Sequence, residues 1–395
     1  MSKNNSDFFK EKKPWSKTKD QILGSYLAPY FQKILYTGKP SVYIDGFAGK
    51  GKFDDGNDGS PLIALKVLEK DTSNASFASS TNAYFIDLNY SKDLEKNLTP
   101  YRKSANLNII SGKFEDNIIP LLTKNAGANV FLYIDPYGIK ALDFNLFSKI
   151  AKANFYSAEL LINFNSFGFL REACRVCKKN PPELNWVDEL VEYDKSSADE
   201  EDLNRIAGGT YWKEIITKYV AGNFTSDDAE KEIVKQYCSK LQEHYKFVLN
   251  MAIRVHEGTQ PKYRMVYATN HPDGCVLMAD SMYKSYKDMC ERSDNGQLCL
   301  FEKDVNDDII PDKDQLKGWL LTEIPIKNRR LNSVLAKYFC DFGINATTAM
   351  LKSLLKELEK ERKISVTRDP AFSPKMKPST FWSDEKGKKV IIRKI

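Results

Sequence analysis

Four short stretches of this chain place reactive or ligand-binding residue types at the ends of apolar runs. In "VYIDGFAGKGKF", residues 42–53, Asp45 and Phe47 lead into Gly49 and Gly51. Glycine lets a backbone turn with positive φ and come close to a ligand. Gly51-Lys52 is followed by Phe53, where a nucleoside-triphosphate loop has Ser or Thr, and the three-glycine dinucleotide fingerprint is also missing. A tight turn of purely structural use is the alternative. In "NAYFIDLN" Asp87 ends the next apolar run, where a carboxylate can accept both hydroxyls of a ribose or simply cap a helix. "SGKFEDNI" then brings Phe114, Glu115 and Asp116 after a third run, and "FLYIDPYGIKALDF" brings Asp135, Pro136, Tyr137 and Gly138 after a fourth.

The D-x-F-x-G-x-G spacing of Asp45, Phe47, Gly49 and Gly51 resembles motif I of S-adenosylmethionine enzymes. That resemblance implies a glycine turn against the amino-acid part of the cofactor, Asp87 on the ribose, and Phe114 with Glu115 at the adenine. Asp135-Pro136-Tyr137-Gly138 resembles, in altered form, the D/N-P-P-aromatic tetrad of amino-group methyltransferases. The likeness implies that the Asp135 carboxylate and the Pro136 carbonyl take hydrogen bonds from a target NH2 and so orient its lone pair. Tyr137 replaces the second proline and Gly138 the aromatic, which leaves the stacking role open; a strand-ending Asp-Pro turn is the alternative. Asn163 and Asn165 in "LINFNSFGF" are either polar contacts to a substrate or turn formers.

The elements that must position these residues follow from the apolar pattern. "SVYIDGF", "NAYFIDLN", "NLNIISG", "NVFLYIDPYG" and "AELLINFN" are short and almost continuously apolar, as strands covered on both faces must be, and they alternate with helix-compatible segments. In an open parallel sheet, ligands gather at the carboxyl ends of such strands. "YKFVLNMAIRV" and "KYRMVYATN" are joined by "HEGTQP", too short for a parallel crossover, so they pair antiparallel. Upstream, Ile22, Tyr26, Tyr30 and Ile34 mark an amphipathic helix broken only by Pro29. Ser60 and Pro61 open a late helix; the acidic, Gly-rich loop before it reads as solvated slack, with a substrate lid as the alternative. The expected fold is α/β, and five parallel strands plus a hairpin resemble the sheet of the class I methyltransferases, a likeness that implies their strand order.

The expected organisation is a helical extension over 1–40, a Rossmann-like domain over 41–290 with a helical insertion at about 168–240, a linker over 291–312 and a basic domain over 313–395. In the last, three helical patterns precede a β-like tail, "KISVTRD", "STFWSD" and "KKVIIRKI", the outline of a winged helix. The net charge of the 395 residues is +6, and residues 311–395 alone hold 19 Lys/Arg against 10 Asp/Glu. Arg329, Arg330, Lys352, Lys356 and Lys377, with Lys375, Lys386, Lys388 and Lys389 around the wing, could follow a phosphate backbone. Lysines interleaved with Glu357, Glu359 and Glu361 fit a solvated helix equally well, and protein docking is the rival use.

Seven cysteines, with a lone C-x-x-C at Cys174 and Cys177, suit reduced thiols, and no second pair completes a zinc site. No apolar run nears the roughly 20 residues of a membrane helix, and the charged start is unlike a signal peptide, so the expected compartment is the cytoplasm.

"YIDGFAGKGKF", "GSPLIAL", "FIDLN", "IDPYG" and "YRMVYATNHPDG" together resemble the three-Cys-motif partner proteins, a bacterial family with a methyltransferase-like fold. That likeness implies S-adenosylmethionine as cofactor and a radical-S-adenosylmethionine protein carrying the three-Cys motif as partner. Two readings of function follow: a methyltransferase acting on a nucleic-acid amino group, with Asp135, Pro136 and Tyr137 at the chemistry, or a non-catalytic recognition module that keeps the fold.

Overall fold

The structure, a computed structural model, describes residues 9–71, 80–179, 198–254, 260–293, 311–385 and 387–395. The hairpin loop, most of the expected linker and Lys386 lie outside the described residues.

The chain begins with α1 (Pro14–Leu35) and continues β1 (Ser41–Asp45), α2 (Ser60–Asp71), β2 (Asn82–Asp87), α3 (Ser91–Leu98), β3 (Asn106–Ser111), α4 (Phe114–Lys124), β4 (Asn129–Ile134), α5 (Phe144–Lys152) and β5 (Ser157–Phe164). Helices α6 (Ser166–Val176), α7 (Glu200–Ala207), α8 (Trp212–Val220) and α9 (Ser226–Gln242) lead to β6 (Phe247–Ile253) and β7 (Tyr263–Thr269). These strands form one seven-stranded sheet in the order β3-β2-β1-β4-β5-β7-β6. Strands β1 to β5 are parallel, while β7 runs antiparallel to both β5 and β6. The expected α/β arrangement, five parallel strands plus a hairpin, is therefore present, and the order reverses between β1 and β4, where the carboxyl ends splay apart to leave a crevice.

The strands are apolar throughout because each faces two cores. In β1, Val42 and Ile44 point to one face and Tyr43 to the other; in β4, Val130, Leu132 and Ile134 oppose Phe131 and Tyr133. Side chains alternate across a strand, so a doubly covered strand has no polar face. Helices α4 to α9 cover one side and α1, α2, α3 and α10 (Pro272–Ser293) the other. Pro29 does not break α1.

The C-terminal part contains α11 (Lys313–Glu323), β8 (Arg329–Arg330), α12 (Leu331–Phe342), α13 (Thr348–Lys360), β9 (Ile364–Asp369) and β10 (Lys389–Lys394). Its strands form a separate antiparallel sheet, β8-β10-β9. "STFWSD" is not a strand: Trp382 is buried instead, beneath the Arg368 guanidinium at 5.2 Å. Leu335 and Leu354 belong to the same apolar cluster as Tyr26 of α1 and Met278 of α10, so this part shares its core with the sheet's upper layer. Among the described residues, no helix is long and apolar enough to cross a membrane.

Candidate functional site

The turn after β1 is sewn to its neighbours by backbone bonds. Gly46 N donates to Tyr133 O at 2.9 Å and Ala48 N to Ile86 O at 3.0 Å. Gly49 and Gly51 lie at φ +58° and +75°, a left-handed conformation that side chains disfavour. Their open faces are already taken. A β-carbon on Gly51 would stand 2.9 Å from Leu94 Cδ1 of α3, and one on Gly49 would stand 2.9 Å from Cζ of Phe9. Gly51 therefore admits a helix, whereas Gly49 admits an aromatic ring from the segment preceding α1. That ring is held among Phe53, Tyr90 and Tyr137, with centroids 5.8, 4.9 and 6.4 Å away, and Lys50 Nζ lies 5.0 Å from its centre.

The loop expected to be slack is ordered. Lys52 and Asp58 form an antiparallel bridge and Phe53 N donates to Asn57 O at 2.8 Å. It clasps the N-terminal segment: Lys12 N donates to Asp55 Oδ2 at 2.9 Å, Lys12 Nζ to Asp58 O at 2.6 Å, and Asp54 N to Phe9 O at 2.7 Å.

Asp87 ends β2 as expected, yet its carboxylate is largely used by the backbone. Oδ2 accepts from Gly49 N at 2.9 Å, and Oδ1 accepts from Asn89 N at 2.8 Å and Tyr90 N at 2.6 Å. A carboxylate has roughly four acceptor sites, so Asp87 retains about one. Asp45 is fully buried below the turn and accepts from Phe47 N at 3.2 Å. Burial raises its pKa to about 7, with the Ser60 hydroxyl and the Phe47 amide opposing. Phe114 is buried against Gly46 and pairs with Phe47 at 5.4 Å, while Glu115 stands exposed in the first turn of α4.

Asp135 follows β4 and sits at the centre of a polar cluster. Lys19 Nζ bridges its two oxygens at 2.9 and 2.7 Å, Asn163 Nδ2 donates to Oδ1 at 2.6 Å, and Tyr133 OH donates to Oδ2 at 3.2 Å. An ionised carboxylate only accepts, so it fixes which end of the Asn163 amide faces it. Asn163 Oδ1 is thereby turned the other way, buried and without a hydrogen-bond partner. Asn165, two residues later, caps α6 by accepting from Gly168 N at 2.8 Å, as a turn former does.

One cavity joins these groups. Of the candidate residues, Phe47, Gly49, Gly51, Asp135, Pro136 and Tyr137 line it. Asp45, Asp87, Phe114 and Glu115 do not. The wall that sequence reasoning missed comes from α1 and the segment before it: Phe9, Trp15, Ser16, Lys19 and Asp20, with Asn163 on the sheet side. Asp20 pairs with Lys12, and its pKa is raised to about 6 because burial outweighs the pull of the Lys12 and Lys19 ammonium groups. The four-residue step from Trp15 through Lys19 to Leu23 was the available signal: it places a lysine on the buried face of a helix, where it needs an acid.

At the C-terminal part, Arg329, Lys356 and Lys377 are exposed. Arg330 is committed to buried Asp384, with Nη2 at 2.7 Å from Oδ1. Lys352 is half-buried, and burial lowers its pKa.

No protein-family model and no curated protein matches the chain. Two solved structures overlap it loosely. The plantazolicin methyltransferase BamL, crystallised with a triazolic desmethylPZN analogue and SAH, is 10% identical, with a TM-score of 0.32, covering 64% of this chain and 86% of its own. A cyclopropane-fatty-acyl-phospholipid synthase-like protein from Lactobacillus casei is 11% identical, with a TM-score of 0.25, covering 64% and 91%. Overlaps this loose carry no argument about the site, and the fold rests on strand order and direction.

Proposed function

We propose that this chain binds S-adenosylmethionine at the crevice between β1 and β4 and methylates a nitrogen that a nucleic acid presents as N–H. The observation that carries the reading is the acceptor oxygen of Asn163, buried, unpartnered and aligned by Asp135 at the sheet's carboxyl edge. The cofactor supplies an electrophilic methyl group. Asn163 Oδ1, with the Pro136 carbonyl, accepts from the target N–H and directs its lone pair. Asp135 acts through Asn163, since its own oxygens already serve Lys19, Asn163 and Tyr133. Tyr137, 39% exposed and edge-on to Phe9, is the ring that would stack on a displaced base. The methylated nitrogen sheds its proton to solvent, so no strong base is needed.

The cofactor's donor set is incomplete in fit. The glycine turn and the end of β2 suit a nucleoside, but Phe9 must leave Gly49 first, and Asp87 can offer a ribose about one further acceptor site. The helices and strands after residue 311 run α-β-α-α-β-β, the order of a winged helix, and exposed Arg329, Lys356 and Lys377 suit a phosphate-facing role for it. A radical-S-adenosylmethionine partner rests on the sequence resemblance alone.

Calorimetric titration with S-adenosylmethionine tests the first step, and tritium transfer from methyl-labelled cofactor to tRNA, rRNA or DNA tests the second. Asn163→Ala should keep cofactor affinity and lose transfer; equal transfer would remove the assignment. The second reading, a non-catalytic recognition module, draws on Phe9 over Gly49 and Lys19 on Asp135. Cofactor binding without transfer to any polymer would favour it.

A further inference from the structure

Between β9 and β10 the chain makes a second, smaller hairpin. Phe372 and Pro378 form an antiparallel bridge. Ser379 N donates to Ala371 O at 2.9 Å, Ser373 N to Lys377 O at 2.8 Å, and Met376 N to Ser373 O at 2.9 Å. Met376 takes a left-handed φ of 55°, which closes the turn tightly.

The tip so formed exposes apolar groups that no other described residue covers. Met376 is 78% exposed and Phe372 54%. Lys375 and Lys377 flank Met376, both exposed, and residues 370–383 contain no Asp or Glu. The root of the hairpin is firmly held: Arg368 donates to Glu359 at 2.9 and 2.8 Å and to Phe381 O at 3.0 Å, and its guanidinium lies over buried Trp382. The tip is therefore presented on a fixed base.

Large apolar side chains in water gain free energy from any surface that covers them. A turn this narrow offers too little area for a standard protein interface. Its shape and charge suit a different occupant. In a double helix, an apolar wedge of Phe or Met can enter between base steps while cations on either side meet the phosphates. The surrounding charge agrees, because residues 311–395 carry nine more basic than acidic groups.

We propose that the 371–379 hairpin is a wedge that inserts Met376 and Phe372 between base steps of a double-stranded nucleic acid, with Lys375 and Lys377 on the flanking phosphates. The inference deepens, and rests on, the reading that this protein acts on nucleic acid. It supplies a way to unstack a duplex.

The test uses the full chain, a short end-labelled mixed-sequence DNA duplex and its RNA counterpart. Anisotropy reads affinity across a salt series, and energy transfer between the duplex ends reads bending. The Phe372→Ser/Met376→Ser double variant should bind about tenfold more weakly with an unchanged salt slope, and should lose the bend. The Lys375→Gln/Lys377→Gln double variant should keep the bend and flatten the slope by about 0.9 per lysine. Both pairs are exposed, so folding is not at stake. Duplex binding and bending indifferent to the apolar pair would overturn the wedge and leave the nucleic-acid reading standing. No duplex binding by the unaltered chain would overturn both. Binding to vesicles of phosphatidylcholine and phosphatidylserine that is lost with the apolar pair, while duplex binding is not, would assign the tip to a membrane surface instead.

Discussion

Phe9 presses the edge of its ring on Gly49: the ring's Cζ lies 2.9 Å from where a β-carbon on Gly49 would be. The residue without a side chain is thus packed by the chain itself on the face a cofactor would need. Phe9→Ala removes the competitor and should tighten the binding of S-adenosylmethionine by about tenfold, as read by calorimetry. An unchanged dissociation constant would mean that the ring and the ligand do not contend for one place.

Lys19 and Asp135 form a shielded ion pair, with side-chain exposures of 8% and 22%. Removing one member of such a pair strands the other charge. Lys19→Met alone and Asp135→Asn alone should each cost about 2 kcal/mol, below the fully buried range because Asp135 is partly wet. The double variant should cost less than the sum of the two. Denaturant titrations of the four proteins give the coupling, and additive losses would contradict the pairing.

Gly51 and Gly56 both have positive φ, +75° and +90°, but a β-carbon meets Leu94 at 2.9 Å in the first and open space in the second. Gly56→Ala carries only the conformational cost, about 1 kcal/mol. Gly51→Ala adds a clash with α3 and should cost about 3 kcal/mol or more. Equal melting temperatures for the two variants would show that α3 yields freely.

Burial raises Asp45 and Glu159 to about 7. Between the ordinary carboxylate range and pH 7 the folded state then holds protons that the unfolded state has lost, so each group lowers stability as pH rises. The slope is about 1.4 kcal/mol per pH unit per group. It acts from about pH 4 upward and levels off above about pH 7. Glu159 accepts from Tyr26 and Tyr267, and Glu159→Gln keeps the shape while removing the titration. Its melting temperature should therefore vary less between pH 5 and pH 8 than that of the parent; identical pH profiles would count against a raised Glu159.

The strands were legible because burial on both faces leaves a signature within a few residues: Val42, Tyr43 and Ile44 are all apolar although they serve opposite cores. The hairpin of β6 and β7 was legible from the shortness of its connection. The glycine turn and Asp135 could be placed because both follow strands. What could not be read was what touches them. Lys19 lies 116 residues from Asp135, Phe9 sits in a polar leader, and no local period encodes either contact. The same limit hid the Arg330 to Asp384 pair, which removes a guanidinium that composition alone had counted for phosphates.

Helix α1 spans 22 residues, about 33 Å at 1.5 Å per residue. Its first turns carry Trp15 and Lys19 into the cavity, while its flank packs on α10, which packs in turn on α12. It is a connecting rod between the crevice and the C-terminal part. The same helix that brings the ammonium group to Asp135 is thus also a supporting wall for the layer on which the C-terminal part rests.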